Sequence, residues 1–170
     1  MQQYLKELKE RRMRLLAMTE PLTVKEYNLI PFGFNNNIIW NMGHMLLVSE
    51  KFLYRNTTYD TPVHAFETAL FTKCSKPEQA VNDYGISLIR QALAETIPVF
   101  ETKCLAKKDT ENITDTHLLY SSVSEASLQF VIFHENMHFH TIEKILAKVT
   151  GTVVEYKGKS EIIVSDPSSI

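Results

Sequence analysis

An all-α fold, an up-down-down-up four-helix bundle, is predicted by three observations on the sequence. Apolar residues recur at helical rather than alternating spacing through four long segments. Prolines and capping residues punctuate the chain between those segments. A long stretch without any period separates the second segment from the third, which is what a crossover to a parallel neighbour requires. The bundle takes residues 1–150, and 151–170 form a C-terminal tail, either a short β-hairpin or extended.

The first helix is predicted over Gln2–Thr19, where Tyr4, Leu5, Leu8, Leu15 and Leu16 stand among Lys, Glu and Arg. It stops before Pro21. Thr23-Val-Lys-Glu26 has the spacing of a capping box and starts a short helical turn that Pro31 closes. Asn35, Asn36 and Asn37 then supply N-caps for a second long helix, from about Ile38 to Arg55. Residues 56–75 form the long link, with a short helix over Phe66–Phe71. Ser75, Pro77 and Glu78 have the chemistry of a helix start, and apolar spacing carries a third helix to about Leu105, with Pro98 expected to kink it or end it early. After a polar loop over Lys107–Ser121, Ser122-Val-Ser-Glu125 repeats the capping-box spacing and opens a fourth helix that ends at Gly151. In the tail, two apolar runs around Lys157-Gly158-Lys159 read as the hairpin.

Composition narrows the function classes. A net charge of -2 gives no electrostatic footprint for nucleic acid. Apolar runs such as Met45–Val48 and Phe130–Phe133 are far shorter than the roughly 20 residues that span a bilayer, and the charged Gln2–Arg14 segment is not a signal peptide. A cytoplasmic protein is expected. Cys74 and Cys104 form no C-x-x-C and are read as ordinary thiols.

The informative stretch is His134-Glu-Asn-Met-His-Phe-His140. On a helix His134 and His138 lie within about 40° of one face, so both imidazoles can converge on one ion. His138 is in register with Val131, Ile142, Ile145 and Val149, so the pair faces inward. His140 points roughly 200° from His138, toward solvent or behind the ligands. His44, which shares a face with Trp40, Leu47 and Val48 on the second helix, supplies a third nitrogen from the opposite side of the core. Three protein ligands leave a position open for water or substrate. His64 and His117 fall in loops without spaced partners.

His134–His138 also satisfies the zinc-peptidase signature H-E-x-x-H, in which the glutamate activates water. That reading needs a ligand downstream, for which Glu155 and Glu161 are candidates, and a strand-edged cleft upstream, where only helices are predicted.

The sequence resembles the DinB-like, damage-inducible family of metal-binding four-helix bundles over nearly the whole chain to about residue 150. The matching segments are Glu20-Pro-Leu-Thr-Val-Lys-Glu-Tyr27, Pro31-Phe-Gly-Phe-Asn-Asn36, Ile39-Trp40-Asn-Met-Gly43-His44-Met-Leu46 and His134-Glu-Asn-Met-His138. The resemblance implies the up-down-down-up topology and a divalent metal, zinc or nickel, on His44, His134 and His138. Relatives usually continue the second ligand of the pair with x-Gly-Gln; here those places hold His140 and Thr141.

The resemblance further implies metal-dependent chemistry with a low-molecular-weight thiol, as in thiol-dependent transferases and isomerases. A metal-dependent transferase or hydrolase is therefore one expectation, and a non-catalytic metal-binding or stress-response bundle is the second. A third is a bundle that acts through its surface as a homodimer. Glu135 and Tyr120 are the candidate acid or base groups, with Glu135 also readable as an exposed helix-face residue. Glu135, His140 and Thr141 are the candidates to stand behind the ligands, and Trp40 lines the pocket.

Overall fold

The computed structural model of the protein describes residues 2–54, 68–106 and 125–151. Within them the chain forms five α-helices and one 3-10 turn, and the described residues contain no strand. The helices are α1 (Gln2–Thr19), α2 (Val24–Asn28), α3 (Ile38–Tyr54), α4 (Asp83–Ala106) and α5 (Glu125–Thr150), with the 3-10 turn at Thr68–Phe71 between α3 and α4. Each long helix buries one stripe. On α1 the stripe is Leu5, Leu8, Arg12, Leu15 and Thr19, spaced three and four apart. α1 and α3 each pack against both α4 and α5, so the four long helices enclose the core.

The expected starts are made by the expected chemistry in two places. The Thr23 hydroxyl accepts the Glu26 backbone N–H while the Glu26 carboxylate accepts the Thr23 N–H at 2.7 Å, a complete capping box on α2. Asn37 caps α3, its Oδ1 accepting the Trp40 N–H at 2.8 Å. A third start is displaced. Ser75-Pro77-Glu78 does not open α4, which begins at Asp83 behind Asn82, whose Oδ1 accepts the Gly85 N–H at 2.9 Å. The Ser75 hydroxyl is engaged elsewhere, accepting the Trp40 indole N–H at 3.0 Å and donating to backbone carbonyls of the 3-10 turn region. Pro98 does not end its helix either: α4 continues through it to Ala106. The expected hairpin, the Ser122 cap and the polar loop lie outside the described residues.

The core divides into two apolar clusters. One gathers residues such as Leu15, Trp40, Met42, Ile89, Phe139 and Ile142, and the other Leu5, Leu8, Leu53, Ile97, Phe100 and Val131. Each fully buried aliphatic side chain contributes about 1.5–3 kcal/mol. Between the clusters lies a layer of buried polar side chains to which every long helix contributes: Arg12 of α1, Ser49 and Glu50 of α3, Thr96 of α4 and Glu135 of α5. Arg12 Nη2 meets Glu135 Oε1 at 2.6 Å, and Arg12 Nη1 donates to the Leu93 carbonyl of α4 at 3.2 Å. Ser49 Oγ of α3 donates to Glu135 Oε1.

Glu135 is thus 0% exposed, which corrects its reading as a surface residue. It continues the inward stripe of Leu128, Val131, Phe139 and Ile142, and Arg12 occupies the matching place on α1. Removing one member of such a pair leaves the other buried and uncompensated. Glu135→Ala is accordingly expected to cost about 3–5 kcal/mol of stability, read from urea unfolding; a loss below 1 kcal/mol would contradict the burial described here.

Candidate metal centre

Asn37, Asn41 and His44 are placed by the first turns of α3. The Asn37 carbonyl accepts the Asn41 side-chain amide N–H at 2.7 Å. That bond turns Asn41 Oδ1 outward, where it lies 2.8 Å from Nδ1 of His138 on α5. An amide oxygen only accepts, so His138 Nδ1 carries the proton. One turn along, His44 Nδ1 donates to the Phe71 backbone carbonyl at 2.6 Å, and a carbonyl fixes that tautomer in the same way. Both rings therefore spend Nδ1 on these bonds and leave Nε2 as the nitrogen that a neutral ring can offer to a metal.

Gly43 makes the second of these bonds possible. A β-carbon there would meet the Phe71 ring at 2.5–2.8 Å, so only glycine lets the 3-10 turn close onto α3 and bring the Phe71 carbonyl to His44. Trp40 covers the other side of the imidazole, with ring centroids 4.8 Å apart and planes 11° from parallel. On α5, Phe130 stacks on His134 at 5.9 Å and in turn meets Phe52 of α3 at 4.7 Å.

The three histidines meet. Ring centroids are 5.1 Å apart for His44–His134, 4.9 Å for His44–His138 and 4.6 Å for His134–His138. One ring nitrogen from each lies within 4.8 Å of the others, the one His/Cys/Asp/Glu cluster among the described residues that could hold a metal ion. His44 is 7% exposed and His134 9%. Burial lowers the His134 pKa to about 4, with the neighbouring His44 adding to the effect and Glu135 opposing it. Burial together with His134 and His44 lowers His138 to about 3. Both are neutral at physiological pH, the state in which imidazole binds metal.

A divalent cation fits this donor set. His134 Nδ1 is buried with no hydrogen-bond partner among the described residues, an omission that ordinarily costs about 1–3 kcal/mol. Nitrogens about 2.0–2.1 Å from a tetrahedral ion lie roughly 3.4 Å apart, so the widest pair need close by only about 1.4 Å.

The other sequence candidates go elsewhere. His140 is exposed and pairs with Glu143 at 2.8 Å, and Thr141 Oγ1 donates to the Met137 carbonyl at 3.0 Å, so neither stands behind a ligand. The i+2 place of His140 carries it off the face of His138, while Thr141 is turned to its own helix backbone. The bulk at 140 points to solvent. Glu135 is adjacent to His134 in sequence, but its carboxylate is taken by Arg12 and Ser49 and is not the free base a peptidase would need. The groups that hold the rings are Asn41 and the Phe71 carbonyl. Asn41 had a signal in the sequence, three residues before His44 on the same face; the Phe71 carbonyl had none. Cys74 is exposed. His64, His117, Tyr120, Glu155, Glu161 and the Cys104 side chain lie outside the described residues.

A family model described as DinB superfamily matches residues 7–142. No curated protein and no solved structure matches the chain.

Two measurements test this geometry. In metal-free protein the unfolded chain, with histidines near pKa 6.5, binds protons that native His134 and His138 refuse. Stability should be full above about pH 6.5 and fall progressively as pH drops toward 4 and 3. A His134→Gln/His138→Gln protein should show a shallower acid limb in its urea midpoints, and an unaltered limb would refute the assignment. Separately, Gly43→Ala should lower stability by about 1–3 kcal/mol through the clash with Phe71. An alanine variant as stable as the parent would show that the turn does not close on α3.

Proposed function

The chain belongs to the DinB superfamily, and from that premise we propose that His44, His134 and His138 hold a divalent metal ion, zinc or nickel, in a metal-dependent enzyme of transferase or hydrolase type that uses a small thiol. The observation that carries the proposal is the convergence of three rings, His44 and His134 buried and His138 half-buried, with His44 and His138 each tied through Nδ1 so that Nε2 is left for an ion. When bound, the ion supplies a Lewis acid that lowers the pKa of a thiol or water beside it.

The protein's own part is positional. Asn41 and the Phe71 carbonyl fix ring orientation. Trp40, buried, and Phe130, exposed, flank the imidazoles, and Phe130 offers flat apolar surface to a substrate. The pairings of Tyr4 with Glu125 and Arg12 with Glu135, of Lys9 with Glu101, and of Asn41 with His138 and Ser49 with Glu135 support the up-down-down-up order.

A second reading is a bundle that binds metal without turnover. It is favoured by one observation: among the described residues no carboxylate joins the three imidazoles, and the nearest in sequence is committed to Arg12.

Elemental analysis of purified protein should find close to one divalent ion per chain, and His44→Ala, His134→Ala and His138→Ala should each abolish stoichiometric binding. A chelator should remove the mass-action stabilisation of the parent, about 2.7 kcal/mol at a hundredfold excess over Kd, and so lower its thermal midpoint while leaving the variants unmoved. Full occupancy in the His134→Ala protein would overturn the site. Turnover of thiol adducts by the loaded parent separates the two readings.

A further inference from the structure

We propose that the buried Arg12–Glu135–Ser49 layer is a positioning device that sets the level and rotation of α5 against α3, and so brings His134 and His138 to His44. The inference rests on the three-histidine reading and names residues that do not touch the histidine nitrogens. Arg12 is 2% and Glu135 0% exposed, yet this one pair reaches every long helix: α1 through Arg12, α5 through Glu135, α4 through the Leu93 carbonyl and α3 through Ser49.

An apolar interface tolerates small slides and rotations, because one aliphatic contact replaces another. A buried ion pair does not. Moving α5 by one turn, about 5.4 Å, would carry the Glu135 carboxylate out of reach of both Arg12 and Ser49 and leave charges buried alone. The layer lies between the two apolar clusters. Glu135 also directly follows His134, so the rotation that satisfies Arg12 and Ser49 determines where the His134 ring points, and one turn further along, the ring of His138. Ser49 stands one turn and a residue beyond His44 on α3, which makes the Ser49–Glu135 bond a strut beside the ring contacts.

The test replaces the pair rather than breaking it. Apolar substitution of both partners of a buried ion pair is often neutral or stabilising, so Arg12→Met/Glu135→Leu keeps the bundle folded while removing the directional constraint. Three readouts are taken: the urea midpoint, the affinity for zinc, and nuclear Overhauser contacts among the three imidazoles in metal-free protein. The expected result is an unchanged or raised midpoint, zinc affinity lowered roughly ten- to a hundred-fold, and weakened contacts of His44 with His134 and His138. A structural role alone would move only the midpoint. Zinc affinity and ring contacts that match the parent would overturn the proposal.

The metal-free ring contacts decide the matter even if the parent binds no zinc, an outcome that would sink the metal reading but not this one. Should the double variant not fold, Ser49→Ala is measured instead. It keeps Arg12 with Glu135 and loses the strut together with the hydroxyl's contact to the Met45 carbonyl within α3, and it should weaken zinc binding and the same ring contacts with little change in the midpoint. Parent-like values for both would again refute it.

Discussion

A guanidinium and a carboxylate withdrawn from water at the centre of the bundle constrain the rest of the structure. Each alone would cost several kcal/mol to bury, and their attraction repays this only when geometry is good and the remaining donors and acceptors are filled. Here they are filled by the other two long helices, through Ser49 and the Leu93 carbonyl. The apolar clusters on either side supply the greater part of the stability, but the charged layer supplies direction. α1, α3, α4 and α5 have one mutual arrangement in which all its bonds close.

The histidine cluster faces a different physical problem. Burial and neighbouring imidazoles oppose the protonation of His134 and His138, as their depressed pKa values reflect. Neutral rings still need one nitrogen satisfied and the other kept free. α3 solves this locally, since Asn37 holds Asn41, Asn41 holds His138, and the absence of a side chain at Gly43 admits the turn whose carbonyl holds His44. The ring of His134 has no such holder among the described residues and rests against Phe130.

Much of this was legible in the sequence, and the omissions have physical causes. Periodicity located the long helices, and Thr23 and Asn37 cap as their chemistry dictates. The convergence of His44, His134 and His138 followed from helical faces alone. α4 starts at Asp83 and not at Ser75-Pro77-Glu78, since Ser75 has one hydroxyl and the indole of Trp40, 35 residues away, competes for it in a way no local pattern records. Pro98 does not end α4 early, since the helix runs through it to Ala106. The most instructive omission is Glu135. It lies within the peptidase signature, but its place in the stripe of Leu128, Val131, Phe139 and Ile142 is what marks it as buried. Arg12 interrupts the stripe of Leu5, Leu8 and Leu15 in the same way. Opposite charges set into two otherwise apolar stripes are the sequence trace of a buried pair, and they are visible before any coordinates.

The stacking of Trp40 on His44 gives the molecule a property of its own. The chain has one tryptophan, so all of its indole emission originates beside a candidate ligand. An excited indole is sensitive to the charge and electron affinity of a ring 4.8 Å away, and its N–H is anchored to Ser75, which restricts its motion. The protein therefore carries an intrinsic optical gauge, placed where the state of the His44 ring is registered without any added label.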